Sequence, residues 1–162
     1  MSTPERAWVG LGGNVGDPVA TVRAGIEALS RLPETRLMRA SRLYRTPAWG
    51  FRDQDDFINA VVLLETALAP RALLEHLLGI ERAFGRERRE RWGPRILDLD
   101  LLLHGDSLID EPGLHVPHPH LHERAFALLP LLDVSPDVAI PRHGLARDAL
   151  SALACEGIEA VG

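Results

Sequence analysis

The eight residues ILDLDLLL at positions 96–103 decide how this 162-residue chain is read. Alternation with period two sends Asp98 and Asp100 to one face of a strand and Leu97, Leu99 and Leu101 to the other, with roughly 6.6 Å between the carboxylate stems. Two like charges inside an aliphatic strand are costly to desolvate. A hard divalent cation with oxygen ligands would neutralise them, although the same spacing also fits an edge strand with a solvated face.

Immediately upstream, Arg86, Arg88, Arg89, Arg91 and Arg95 crowd a stretch bounded by Gly85 and Gly93-Pro94, in a chain whose formal net charge is −5. Local charge opposes global charge. Guanidinium groups on a glycine- and proline-bounded loop can fork onto phosphate oxygens, so an anionic ligand is implied; a solvated charged loop is the plainer alternative. All 18 basic residues are arginine. Without lysine there is no GxxxxGK[ST] phosphate loop, no Schiff base and no kinase-type strand lysine.

Toward the N-terminus, residues 6–12 form a short strand, and Asp17-Pro18 supplies an N-cap and first-turn proline for a helix to about residue 32. The glycines at 12 and 13 with Asn14 suit a tight strand-to-helix turn, with backbone close to a ligand; Val15 breaks a GxGxxG reading. Residues 36–46 and 56–66 are two further strands. Pro70 opens a second helix, whose Leu73, Leu74, Leu77, Leu78 and Ile80 make one apolar stripe before Gly85. With the strand at 96–103 the order is βαββαβ, which predicts an α+β fold: a ferredoxin-like antiparallel sheet with helices packed on it. A short extended piece to residue 116 and C-terminal helices near 122–132 and 145–153 complete a single domain over residues 1–162.

Composition, 46% hydrophobic, is ample for a core. No stretch approaches the ~18 uncharged apolar residues of a membrane span, and the first ten residues lack a signal-peptide core, so the expectation is a cytoplasmic protein without membrane partners. The one cysteine, Cys155, excludes an intramolecular disulfide and reads as incidental on a frayed tail.

Asn59 is the lone amide of an apolar strand, and Phe57 shares its face. An aromatic ring beside an amide suits a flat heterocycle, stacked by one and met at its edge by the other; a buried amide satisfied by backbone is the alternative. Trp49 and Trp92 lie in Gly/Pro-bearing loops that can cover such a ring. His115, His118, His120 and His122 crowd one segment, where phosphate donation by His118 with Arg124 nearby competes with a zinc site. The βαββαβ order is also that of RNA-recognition domains, but the third strand, DFINAVVL, lacks their basic-aromatic signature and the net charge is negative, so no nucleic-acid partner is expected.

These residues fall into blocks: LGGNVGD (11–17), SRLYRTPAWG (41–50), DFINAVVLLET (56–66), GRERRERWGPRILDLDLLLHG (85–105) and VPHPHLHERAFALLPL (116–131). In that order they resemble the 6-hydroxymethyl-7,8-dihydropterin pyrophosphokinase family of folate biosynthesis, over roughly residues 8–140. The resemblance implies pyrophosphate transfer from ATP to the pterin hydroxymethyl group, with AMP released. It implies that Asp98 and Asp100 are ligands of two Mg2+ ions, and that Arg86 and Arg95 are catalytic loop arginines. Glu81, Arg88, His118 and Arg124 would contact ATP, and Thr46, Pro47, Trp49, Phe57, Asn59, Trp92 and Phe126 would line the pterin pocket. The implied partners are these two small molecules alone; a monomer is the expectation, with the oligomeric state left open by the sequence. The arginine loop is one residue longer than in the best-known members, and Pro119 stands where some carry tyrosine.

Overall fold

The computed structural model describes residues 3–47, 56–85 and 96–161. Strand β1 (Glu5–Gly13) is followed by helix α1 (Pro18–Ser30), where the Asp17 carboxylate accepts from the Ala20 amide at 3.2 Å and Pro18 occupies the first turn. This is the start that the Asp-Pro pair predicts. Next come β2 (Thr35–Ala40), β3 (Leu43–Thr46), β4 (Phe57–Thr66), helix α2 (Pro70–Phe84) and β5 (Asp98–His104). With a C-terminal strand, β10 (Glu159–Val161), the sheet runs β10-β3-β4-β1-β5, with β2 also paired to β4 and every pairing antiparallel. The βαββαβ expectation therefore holds, in the ferredoxin-like strand order.

The expected continuous strand over 36–46 is two strands instead. β2 pairs with the far end of β4, from Ala40↔Val62 to Thr35↔Thr66, while β3 pairs with its near end, from Tyr44↔Asn59 to Thr46↔Phe57. Ser41 bridges the break: its amide donates to the Val61 carbonyl and its hydroxyl oxygen accepts from the Val61 amide, both at 2.9 Å. A side chain has taken over one rung of the ladder, and nothing in the apolar alternation signals that exchange.

Downstream, β6 (Ile109–Glu111) and β7 (Leu114–Val116) form a hairpin where a single extended piece is expected. A 3-10 turn (Leu121–Glu123) leads into α3 (Ala125–Val134), and a small hairpin of β8 (Ala139–Ile140) and β9 (Gly144–Leu145) precedes α4 (Ala146–Ser151). The tail is not frayed. Residues Glu159–Val161 form β10, which pairs with β3 along its outer edge, and Cys155 is partly buried. Three residues are too few for a period to show, so only the open edge of β3 reveals the strand.

Both sheet faces are covered. One carries α1 and α2 over a core that includes Val9, Leu11, Leu29, Ile58, Leu64, Leu73 and Leu77. The other carries α3 over Trp8, Val61, Leu63, Leu103, Leu128 and Leu131. Because α3 begins only at Ala125 and lies toward that second cluster, the 57–61 end of β4 and the Asp98 end of β5 are left open among the described residues.

Candidate active site

That uncovered part of the sheet is a cavity of about 490 Å³ lined by Gly10, Gly12, Thr46, Pro47, Phe57, Asn59, Asp98, Asp100, Arg124 and Phe126, with Leu11, Ala60, Val61, Leu102 and Ala127. Strand register builds it. Gly12 of β1 sits between Asn59 on one side and Asp98 on the other, and Gly10 sits between Val61 and Asp100. All share the face of α3, and the two glycines contribute no side chain to fill the space between amide and carboxylates. A Cβ on Gly12 would stand 2.9 Å from the Asn59 amide nitrogen.

The glycines thus lie inside β1, which runs to Gly13, and not in the strand-to-helix turn expected of Gly12 and Gly13. Their role as a bare floor was missed because a glycine signals only freedom from a side chain; which neighbours gain that space depends on pairing register.

At the β3–β4 end, the Thr46 hydroxyl oxygen and the Asn59 amide oxygen are buried with no hydrogen-bond partner among the described residues. An unsatisfied buried polar atom costs about 1–3 kcal/mol, so these two mark a place where a ligand's polar edge belongs. Phe57, beside Thr46 across the ladder, and Phe126, at the start of α3, supply aromatic surface, and the Arg124 guanidinium carbon stands 5.7 Å from the Phe126 ring centroid.

At the β5 end, Asp98 and Asp100 share one face while Leu97, Leu99 and Leu101 are buried behind them, as the alternation predicts. β5 is a sheet edge, but its outer rim is occupied. The Leu99 amide donates to the Glu81 carboxylate at 2.7 Å, and the His118 amide donates to the Leu102 carbonyl at 2.9 Å. Glu81 and His118 accordingly flank the acidic pair from the rim and do not line the cavity wall.

Burial holds the His118 imidazole below its ordinary range. Asp100 pulls the other way, and Arg124, His120 and His115 reinforce the lowering. Its Nδ1 accepts from the His120 amide at 3.1 Å, which leaves the proton of the neutral ring on Nε2. The other histidines do not converge. His115 faces Asp110 at 2.8 Å, His122 stacks on His143 at 3.7 Å between ring centroids, and no group of three or more His, Cys, Asp or Glu among the described residues could hold a metal ion. A zinc centre finds no ligand set there. Two carboxylates do suit magnesium, which binds through one or two carboxylates and completes its shell with water and substrate phosphates.

Arg86, Arg88, Arg89, Arg91, Trp92 and Arg95, together with Trp49, lie outside the described residues. Of the remaining expected residues, Thr46, Pro47, Phe57, Asn59, Asp98, Asp100, Arg124 and Phe126 line one cavity. No helix among the described residues is long and apolar enough to cross a membrane.

The chain is 47% identical over 155 residues to the 2-amino-4-hydroxy-6-hydroxymethyldihydropteridine pyrophosphokinase of Pseudomonas aeruginosa, covering 96% of each. It is 44% identical over 156 residues to the Methylorubrum extorquens enzyme of the same name, covering 96% of this chain and 98% of that one. The crystal structure of Plasmodium falciparum HPPK-DHPS wild type with SDX-DHP superposes with a TM-score of 0.75 at 14% identity; it matches 94% of this chain, which spans 45% of that longer one and shares its fold over that part. The family pattern for 7,8-dihydro-6-hydroxymethylpterin-pyrophosphokinase (HPPK) matches residues 8–136. The chain belongs to the 7,8-dihydro-6-hydroxymethylpterin-pyrophosphokinase family.

Proposed function

We propose that this chain transfers pyrophosphate from ATP to the hydroxymethyl group of 6-hydroxymethyl-7,8-dihydropterin in folate biosynthesis, releasing AMP. It works as a monomeric, single-domain enzyme over residues 1–162 in the cytoplasm, with two Mg2+ ions at Asp98 and Asp100. The observation that carries this reading is the polarity of the cavity. Orphaned neutral oxygens of Thr46 and Asn59 lie at one end, paired carboxylates lie at the other, and a glycine floor joins them.

Asn59 and Thr46 accept from the N–H groups of the pterin edge, while Phe57 and Phe126 hold the ring by its faces. The ring substituent then points across Gly12 toward the acidic pair. The hydroxymethyl oxygen forms a bond to the β-phosphorus as the bond from that phosphorus to the α,β-bridging oxygen breaks; AMP leaves with the electron pair and the hydroxyl proton is lost. Magnesium, when bound, supplies neutralisation of the phosphate oxygens and lowers the pKa of the attacking hydroxyl. Arg124, always charged, and the neutral His118, donating from Nε2, offer hydrogen bonds to phosphate oxygens. Glu81 holds the edge of β5 through Leu99 and so keeps Asp98 and Asp100 facing the nucleotide. Arg88 completes the ATP contacts, Trp49 and Trp92 the pterin walls, and Arg86 and Arg95 offset charge developing on the transferred group, where such arginines are worth about 10³-fold or more.

Incubation with ATP, Mg2+ and the reduced pterin alcohol should yield AMP. ADP as the product would overturn the reading. Asp98→Ala and Asp100→Ala should fold and lose most turnover, and a near-normal rate in either would remove the ion assignment.

A further inference from the structure

The pocket wall at Thr46-Pro47 depends on residues far along the chain. β3 is four residues long and meets β4 through only three pairs, Tyr44↔Asn59, Arg45↔Ile58 and Thr46↔Phe57. Its other edge is covered by β10 through Glu159↔Arg45, Ala160↔Tyr44 and Val161↔Leu43. Just before β10, the chain turns at Gly157 with φ +81°, and a Cβ there would stand 3.0 Å from Pro47 Cγ and 3.5 Å from Cδ. Pro47 is a ring closed onto its own backbone. It cannot swing aside as the end of a long side chain would, so a Cβ at 157 moves either the Pro47 backbone or β10. This segment lies beyond residues 8–136 of the family match.

We infer that Gly157 is a positioning residue for the pterin site: its bare α-carbon lets β10 lie along β3 and press on Pro47, which sets the Thr46-Pro47 wall opposite Asn59. The inference rests on the pterin reading of the cavity. The ring is held between β3–β4 and α3, so a displaced wall weakens the pterin end and leaves the nucleotide end unchanged.

The fold contains its own control. Gly144 has φ +79°, nearly the same backbone conformation, with no atom of the described residues within 4 Å of where its Cβ would be. Gly157→Ala and Gly144→Ala therefore share a conformational penalty, and only the first adds the Pro47 contact. Gly157→Asn separates the effects from the other side, because asparagine tolerates positive φ but still carries a Cβ.

Kinetics of the three variants and the wild type provide the test. Gly157→Ala and Gly157→Asn should raise the KM for the pterin about tenfold with the KM for ATP unchanged, while Gly144→Ala leaves both at wild-type values. Hydrogen exchange should show faster exchange of the amides at 43–46 in the position-157 variants alone. Equal pterin KM in Gly157→Asn and Gly144→Ala would overturn the inference, as would parallel losses for pterin and ATP. If the wild type released no AMP, the functional reading would fall, and exchange at 43–46 alone would decide whether Gly157 sets the wall.

Discussion

At the scale of single residues, the site depends as much on an absent side chain as on those present. Gly12 leaves room for the Asn59 amide, whose nitrogen is 2.9 Å from where a Cβ would stand. The obstructed atom is the end of a side chain, so the fold can yield by rotating Asn59, which would turn the proposed pterin contact away. Gly12→Ala should therefore stay within about 1 kcal/mol of wild-type stability, since alanine is the better strand residue, while pterin affinity falls about tenfold or more. Calorimetry of pterin binding beside thermal melts separates the two, and unimpaired binding would mean that Asn59 does not read the ring. Asn59→Ala should show the same loss. Phe57 and Asn59 were legible as a pair because strand alternation puts residues two apart on one face. Gly12 was not, because its meaning depends on what the neighbouring strands bring opposite it.

Among the elements, the link between β3 and α3 has a pH signature. Asp133 near the end of α3 accepts from Tyr44 Oη at 2.8 Å and from the amide and guanidinium of Arg42, so the helix that carries Phe126 is tied to the strand that carries Thr46. Burial pulls the Asp133 carboxyl upward, but the hydrogen bonds from Arg42 and Tyr44 and the Arg42 charge outweigh it, and its pKa lies below the usual carboxylate range. Burial first, then Asp133, pushes the Tyr44 phenol up. A lowered acid stabilises the fold above its unfolded pKa, about 3.9, and that contribution fades as pH falls through the lower folded value. A raised phenol stabilises below about 10, and its contribution is lost as pH rises through the higher folded value. Asp133→Asn should lower Tm by about 2–4 °C at pH 7 and flatten the decline of Tm below about pH 4. An unchanged acid limb would show that the tie carries no stability. α1 was legible from the Asp-Pro cap and α2 from its leucine stripe, of which Leu73 and Leu77 are buried while Leu78 is exposed to solvent; the division of β2 from β3 was not, because the Ser41 hydroxyl takes over one rung of the ladder while its amide keeps the other.

For the molecule as a whole, the acidic pair sits on a strand already paired to β1 and backed by buried leucines, so the fold does not require an ion. Chelating divalent cations should abolish AMP release and leave Tm unchanged. Mg2+ with a non-hydrolysable ATP analogue at about 100 times Kd should add about 2.7 kcal/mol, a rise of roughly 5–10 °C. Unfolding on chelation would make the site structural. Backbone periodicity imposes locally the shared face of Asp98 and Asp100, the buried Leu73 and Leu77 of α2, the capped start of α1 and, through their order, the antiparallel α+β sheet. Long-range pairing settles the rest: Gly12 lies between Asn59 and Asp98, α3 stops short of a cavity, the Thr46 and Asn59 oxygens have no partner among the described residues, and residues Glu159–Val161 close the edge of β3. Those are matters of register and long-range pairing, where segments distant in the chain compete for the same hydrogen-bonding edges and buried area; no local period encodes the outcome.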